Sequence, residues 1–359
     1  MTFAQNDNAT PLVSALLGIL RFARPHDTKM ERQFCARLVR QIAALGVPVE
    51  TDGFGNIWAS VPAKTASAPS ILWSCHVDTV DARQEEKAVY LGADGIVRLR
   101  NKKPGRCLGA DDGAGVWLLL EMLRARVPGT YVFHRGEEKG RLGSLYVART
   151  EPRRLGGIDA AIAFDRRGRD NIITHQMSER GCSEAFVKSL GRAINSASNG
   201  ALDYAADDSG SYTDTYSYFD TVPECCNLSV GYSGEHGPNE TLDWGHLLAL
   251  RAAILRADFT ALRIERNPEE TEYSDWGAPW GSYSRGTYSG GGWNNWADDD
   301  WRGGNDARLD DTLASLCSQY PEVASDLLGA YGVSIMDFLE AVDEVNPSAA
   351  QSSYRAIMG

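Results

Sequence analysis

The sequence predicts an α/β fold, with a mostly parallel twisted sheet flanked by helices on both faces, followed by a disordered linker and a small C-terminal helical segment. Three observations support this prediction. Short apolar runs alternate with segments of helical periodicity over residues 10–265. The 359 residues are 43% hydrophobic, which is sufficient for a large packed core. After residue 266 this periodicity disappears, and a segment rich in Gly, Asp and Trp begins.

Capping residues and apolar spacing predict the helices. Thr10 and Pro11 are suited to be the N-cap and the first helical residue of PLVSALLGIL. Thr28 and Glu31 form a capping-box pattern, which begins a helix of about five turns that ends at Gly46. Further helices are predicted over VWLLLEMLRARV, LGSLYVAR, CSEAFVKSLGRAI and DWGHLLALRAAILRADFTALRI.

Shorter apolar runs predict the strands. Two short strands surround a Gly/Asn turn in VPVETDGFGNIWASVP, and KAVYLGADGIVRLRN has the pattern of a hairpin. Single strands are predicted over ILWSC, TYVFH, IDAAIAF and PECCNLSVGY. Ligands bind beyond the carboxyl ends of parallel strands, so the polar residues that follow these runs should share one edge. They are His76, Glu137, Glu138 and Asp165.

Composition excludes several classes of partner. The formal net charge of −12 argues against a nucleic-acid or anionic-membrane surface, since phosphate contacts need a basic patch. No run approaches the roughly 20 apolar residues of a membrane span. The seven cysteines are scattered and odd in number, which favours reduced thiols and a cytoplasmic location over a disulfide framework.

Two of the motifs carry residue types that bind metal ions. His76 and Asp78 in HVDTV lie two apart on an extended segment, so their side chains share a face. Asp78 can therefore hold the second imidazole nitrogen while the first binds a metal ion. Asp111 in GADDGAG lies among small residues at a helix start, where its two oxygens can bridge two cations.

The remaining motifs complete a set of zinc-type ligands. Glu137 and Glu138 in GEE are neighbours that point in different directions on an extended backbone. One carboxylate can then bind a metal ion while the other faces a bound water. Asp165 ends an apolar strand, and His236 lies in the Gly-rich GYSGEHGPNE. Imidazole nitrogen and carboxylate oxygen are ligands that zinc prefers.

In this order, HVDTV, GADDGAG, GEEKG, AFD and SGEHGPNE resemble the co-catalytic di-zinc exopeptidase superfamily over roughly residues 10–265. Its members include tripeptidase T, glutamate carboxypeptidases, and leucyl and glutamyl aminopeptidases. The segment TDGFGNIWA also resembles the early hairpin of that superfamily. The resemblance implies two divalent metal ions, zinc or alternatively cobalt or manganese, and hydrolysis of a peptide or amide bond in a short substrate.

The resemblance also implies a role for each matched residue. Asp111 would bridge the two ions, with the other ligands divided between them. The first pair is His76 and Asp165, and the second pair is Glu138 and His236. Asp78 would orient His76, and Glu137 would be the general base that takes a proton from a metal-bridging water.

Three further features are implied at the same site. A cis peptide follows the bridging aspartate in many members, which here is the bond Asp111–Asp112. Asp165 and His236 are 236 − 165 = 71 residues apart, which is too short for a lid domain and resembles the lid-less aminopeptidases. In those relatives a supporting aspartate matches Asp214, and Tyr212 is the nearest match to a tyrosine that stabilises the oxyanion.

Residues outside these motifs are interpreted as structural. We expect core or surface roles for four histidines, and burial for Asp112 and several cysteines. These histidines are His26, His134, His175 and His246, and the cysteines are Cys75, Cys225 and Cys226.

The predicted domain organisation has three parts. Residues 1–266 form the catalytic domain without a lid, 267–306 a Gly/Trp-rich linker, and 307–359 a small helical segment that can bind a protein partner. The main prediction is an aminopeptidase. The alternatives are an amidohydrolase of N-acyl or modified amino acids, and a metal-binding scaffold protein that presents the C-terminal helices.

Overall fold

The structure, a computed structural model, describes residues 9–63, 65 and 68–270. The predicted linker and C-terminal helical segment lie outside these residues, apart from 267–270. The helices are α1 (Ala9–Leu20), α2 (Lys29–Ala44), α3 (Ala110–Arg124), α4 (Leu142–Thr150), α5 (Glu184–Ala197) and α6 (Trp244–Ile254). The strands are β1 (Val49–Thr51), β2 (Ile57–Val61), β3 (Ile71–His76), β4 (Val89–Leu91), β5 (Ile96–Leu99), β6 (Gly129–His134), β7 (Ala160–Arg166), β8 (Asn171–Ile173), β9 (His175–Gln176), β10 (Glu179–Arg180), β11 (Ala205–Asp207), β12 (Glu224–Ser229), β13 (Tyr232–Ser233) and β14 (Thr241–Asp243).

An eight-stranded sheet has the order β1-β2-β6-β3-β7-β12-β8-β11. Its central strands β6, β3, β7 and β12 pair in parallel, as do β8 and β11. The pairs β1–β2, β2–β6 and β12–β8 are antiparallel. A second, antiparallel sheet has the order β13-β14-β5-β4 and contains the predicted hairpin. The prediction of a mostly parallel sheet is confirmed.

Helices cover both faces of the large sheet, as predicted. In β3 the side chains of Ile71, Trp73 and Cys75 pack in a core cluster with residues of α1, α2, α3, α5 and α6. Leu72 points to the opposite face, where it packs in a second cluster with Val147 of α4. All six residues of β3 are buried, since both faces of the strand are covered.

The structure differs from the predicted helices at both ends of the domain. The first helix begins at Ala9, before the predicted N-cap Thr10. The prediction that the last helix continues to Ile264 was wrong, because α6 ends at Ile254. Beyond it, the Asp258 carboxylate accepts hydrogen bonds from the backbone N–H and the hydroxyl of Thr260, and this local turn competes with helix. Phe259 packs against Trp73, with ring centroids 5.2 Å apart.

The predicted cap of α2 is confirmed in part. Thr28 Oγ1 accepts a hydrogen bond from the backbone N–H of Glu31 at 3.3 Å. The Glu31 carboxylate does not return to Thr28. It accepts the N–H of Asp27 at 2.7 Å and forms an ion pair with Arg135 at 2.8 Å. This buried carboxylate therefore links α2 to the loop that follows β6.

Two further observations concern the described part of the chain. None of its helices is both long and apolar enough to cross a membrane. Its six cysteines are free thiols, and Cys75, Cys225 and Cys226 are buried as expected.

Candidate metal centre

The site lies at the carboxyl ends of the central parallel strands. His76 is the last residue of β3, and Asp165 is the penultimate residue of β7. Glu137 and Glu138 open the single 3-10 turn that follows β6. Asp111 is the second residue of α3. Adjacent parallel strands end at the same edge of a sheet, so side chains distant in sequence meet there.

The structure brings the five predicted ligands together in two groups that share Asp111. In the first group, Nε2 of His76 lies 3.0 Å from Oδ1 of Asp111 and 3.5 Å from Oδ1 of Asp165. In the second, Nε2 of His236 lies 3.2 Å from Oδ2 of Asp111 and 3.1 Å from Oε2 of Glu138. Asp111 therefore offers one oxygen to each group.

The segment around Asp111 has the predicted backbone. The Asp111–Asp112 peptide bond is cis. The buried Asp112 carboxylate accepts hydrogen bonds from the N–H of His76 at 3.1 Å and the N–H of Gly115 at 2.9 Å. Asp112 thus links the end of β3 to the start of α3, in keeping with the structural role expected for it.

Asp78 contacts both His76 and the turn that carries the two glutamates. Its Oδ1 lies 3.6 Å from Nδ1 of His76. The same oxygen accepts the backbone N–H groups of Gly136 and Glu137, at 2.8 and 3.1 Å. Oδ2 accepts the N–H of Glu138 at 3.1 Å. One buried carboxylate therefore satisfies three backbone donors of this turn and places both glutamates relative to the histidine.

Excess buried negative charge dominates the electrostatics of the site. Burial, reinforced by the charge of Asp111, raises the pKa of Glu138 to about 7 and that of Asp165 to about 6. Burial also raises the pKa of Glu137 well above its usual value. Hydrogen bonds to Asp111 and Glu138 raise the pKa of His236 to about 11.

These residues fit a pair of divalent cations. Oε1 of Glu138 is buried without a hydrogen-bond partner among the described residues. Burying carboxylates is costly unless an opposite charge is close, and a bound cation supplies that charge. The two groups together offer two imidazole nitrogens and three carboxylates, a donor set that suits zinc.

Asp165 is held by two residues that the sequence reading did not assign. The hydroxyl of Tyr232 donates to Oδ1 of Asp165 at 3.1 Å, and the hydroxyl of Thr213 donates to Oδ2 at 2.6 Å. Tyr232 lies four residues before His236, inside the GYSGEHGPNE motif. Tyr232 comes directly before the matched motif SGEHGPNE, and this position was the signal that could have identified it.

Tyr212 and Asp214, which were matched to residues of the lid-less relatives, lie in different surroundings. The ring of Tyr212 lies under the guanidinium of Arg141, whose Cζ is 5.0 Å from the ring centroid. The buried Asp214 carboxylate lies 3.1 Å from Nδ1 of His134. Nε2 of His134 also lies 2.6 Å from the hydroxyl of Tyr218. His134 is thus a fully buried histidine in a polar network, in keeping with the core role expected for it.

Glu240 was also missed as a supporting residue. It ends the SGEHGPNE motif, four residues after His236, and its side chain is buried. The carboxylate accepts hydrogen bonds from the backbone of the loop that carries Asp111.

The fold and this site are similar to those of one class of protein, and the comparisons with known proteins support the co-catalytic zinc exopeptidase superfamily as that class. Residues 56–222 match the model of peptidase family M28, which supports a peptidase. A search of curated protein sequences found no match.

Solved structures of three peptidases share the fold. Aminopeptidase PepT from Bacillus cereus is 17% identical, with a TM-score of 0.55 over 70% of this chain and 98% of that one. A tripeptidase from Staphylococcus aureus is 17% identical, with a TM-score of 0.57 over 69% and 96%. An aminopeptidase from Desulfurococcus kamchatkensis is 15% identical, with a TM-score of 0.51 over 72% and 96%. At these identities the likeness establishes the fold.

Proposed function

We propose that this protein is a di-zinc exopeptidase, and specifically an aminopeptidase that acts on short peptides. The observation that carries the proposal is the pair of ligand groups that share Asp111, next to the buried Glu137. The printed names of the similar structures, two aminopeptidases and a tripeptidase, support the same substrate class. A cytoplasmic location, predicted from cysteine usage, belongs to this proposal.

Each side chain of the site has a role in the proposed reaction. His76 and Asp165 would hold one ion, Glu138 and His236 the other, and Asp111 both. When bound, the two ions supply Lewis acidity, which polarises the scissile carbonyl and lowers the pKa of water.

Glu137 would act as the general base. Its side chain is 7% exposed and belongs to neither ligand group, so it is free to exchange a proton. It would take the proton from the attacking water and deliver it to the departing amine. The Asp78 carboxylate would hold the turn of Glu137 through the backbone hydrogen bonds described above, and it would orient His76 from its position 3.6 Å from Nδ1.

Metal analysis combined with a substrate screen tests this function. We expect close to two divalent ions per chain after mild dialysis, loss of turnover with chelator, and hydrolysis of aminoacyl amides and short peptides with a free amino terminus. Full activity in excess chelator, with no bound metal, would contradict the metal-dependent reaction. Turnover confined to N-acyl amides would instead establish the deacylase alternative.

A further inference from the structure

Glu240 is a buried carboxylate that binds three consecutive backbone N–H groups. Its Oε2 accepts the N–H of Gly109 at 2.9 Å. Oε1 accepts the N–H groups of Ala110 and Asp111 at 2.8 and 3.0 Å. The side chain is 1% exposed, so water does not replace these contacts. The sequence separation is 129–131 residues, so the contact depends on the tertiary fold.

The three N–H groups lead directly into the shared ligand. N–H groups at the start of a helix have no partner within that helix, and an anion that accepts them stabilises this end. Here the Glu240 carboxyl group also restrains the backbone N–H of Asp111, immediately before the cis peptide bond. Since both oxygens of Asp111 face ligand groups, a small rotation of this backbone would displace a ligand atom from each group.

The loop that carries Glu240 also carries the metal-ligand candidate His236. Glu240 follows His236 by four residues and is joined directly to β14, which pairs with β5. The loop therefore begins at a ligand of the second group and ends at the residue that holds the shared ligand. Glu240 itself belongs to neither ligand group.

We propose that Glu240 is a positioning residue for both metal ions: its carboxylate fixes the Gly109–Asp111 backbone so that Asp111 reaches the two ligand groups at once. This inference rests on the proposed function, because it assumes that the two groups bind metal. Residues that orient metal ligands typically change metal affinity by about 10–100-fold when they are replaced. Replacing Glu240 should weaken both binding steps together, whereas replacing Glu138 should weaken one.

Glu224 provides a matched control. It is also a fully buried glutamate whose carboxylate accepts backbone N–H groups, those of Ser183, Glu265 and Arg266, at 2.7–3.0 Å. It is the first residue of β12 and so lies at the strand end opposite to the metal ligands. Glu224→Gln removes the same chemical group and reports the general cost of losing such a carboxylate.

The experiment is a zinc titration of the metal-free full chain by calorimetry with a competing chelator, comparing wild type, Glu240→Gln, Glu138→Gln and Glu224→Gln. Glutamine keeps one acceptor oxygen, but its NH₂ group faces an N–H that the carboxylate accepted. We expect Glu240→Gln to lose about 10–100-fold in affinity for both ions, and Glu224→Gln to retain both affinities. Circular dichroism and chemical denaturation establish that each variant is folded.

Several outcomes would overturn the inference. Unchanged affinities in folded Glu240→Gln would do so, as would weakening of one ion only. An equal loss in Glu224→Gln would show a general stability effect. If Glu240→Gln does not fold, hydrogen exchange of the metal-free wild type decides: slow exchange at 109–111 supports the restraint and fast exchange refutes it. A wild type that binds no metal would refute the proposed function as well, whereas failure in the variant alone refutes only the role of Glu240.

Discussion

Glu138→Gln should stabilise the metal-free protein at alkaline pH, although it removes a proposed metal ligand. Burial and the charge of Asp111 raise the pKa of Glu138 from 4.5 to about 7 in the folded protein. Between these values the folded state keeps a proton that the unfolded state has released. Stability contributed by this group is therefore complete below pH 4.5 and decreases as pH rises through about 7.

The size of this effect follows from the pKa values. A rise from 4.5 to about 7 corresponds to about 3 kcal/mol, at 1.36 kcal/mol for each pH unit. Glutamine resembles the protonated acid and does not titrate, so the variant does not lose this stability as the pH rises. The difference in unfolding free energy between variant and wild type should widen by about 2 kcal/mol between pH 5.5 and 8.5.

Chemical denaturation in excess chelator at pH 5.5 and 8.5 measures this difference. Glu184→Gln is the control, because Glu184 is exposed on α5, pairs with Lys188, and lies outside both ligand groups. Its effect should change little over this range. A Glu138→Gln protein whose advantage does not grow with pH, or which is less stable than wild type at pH 8.5, would refute the electrostatic reasoning. A separate zinc titration of native Glu138→Gln should show weaker affinity for one of the two ions.

Three further predictions concern the roles of individual groups. Glu137→Gln should retain its metal content while turnover falls by roughly 10²–10⁴-fold, which is the scale of general-base catalysis. Added metal should not restore turnover. Near-native kinetics would show that Glu137 is not the general base. Tyr232→Phe removes the hydroxyl that donates to Asp165, so affinity for one ion should fall by about tenfold in a chelator competition, and unchanged affinity would show that this contact is dispensable. A chain that ends at residue 270 should keep its activity on a small peptide, since every proposed catalytic group precedes that point; a hundredfold loss in a folded protein would show that later residues complete the site.

Local sequence patterns predicted most of the elements in the central fold. Alternation of apolar runs identified β3, β6, β7 and β12, because strands buried on both faces need continuous apolar residues. Strands β8 to β11 and β14 were missed because each has only two or three residues, too few for a period to be visible. The end of α6 was missed because packing of Phe259 on Trp73 is not visible in local periodicity.

By itself, the sequence indicated which residues could bind metal, and it predicted that the strands before His76, Glu138 and Asp165 bring these three residues to one edge. Asp111 and His236 joined the candidate ligands because their motifs resemble those of the exopeptidase superfamily. Only the tertiary structure decided which side chains support them. Glu240 meets the Asp111 backbone across 129 residues, and Tyr232 meets Asp165 across 67. Such contacts depend on the order of strands and the path of loops, and a hydrogen bond forms only within about 3.5 Å. Local sequence patterns therefore do not predict them.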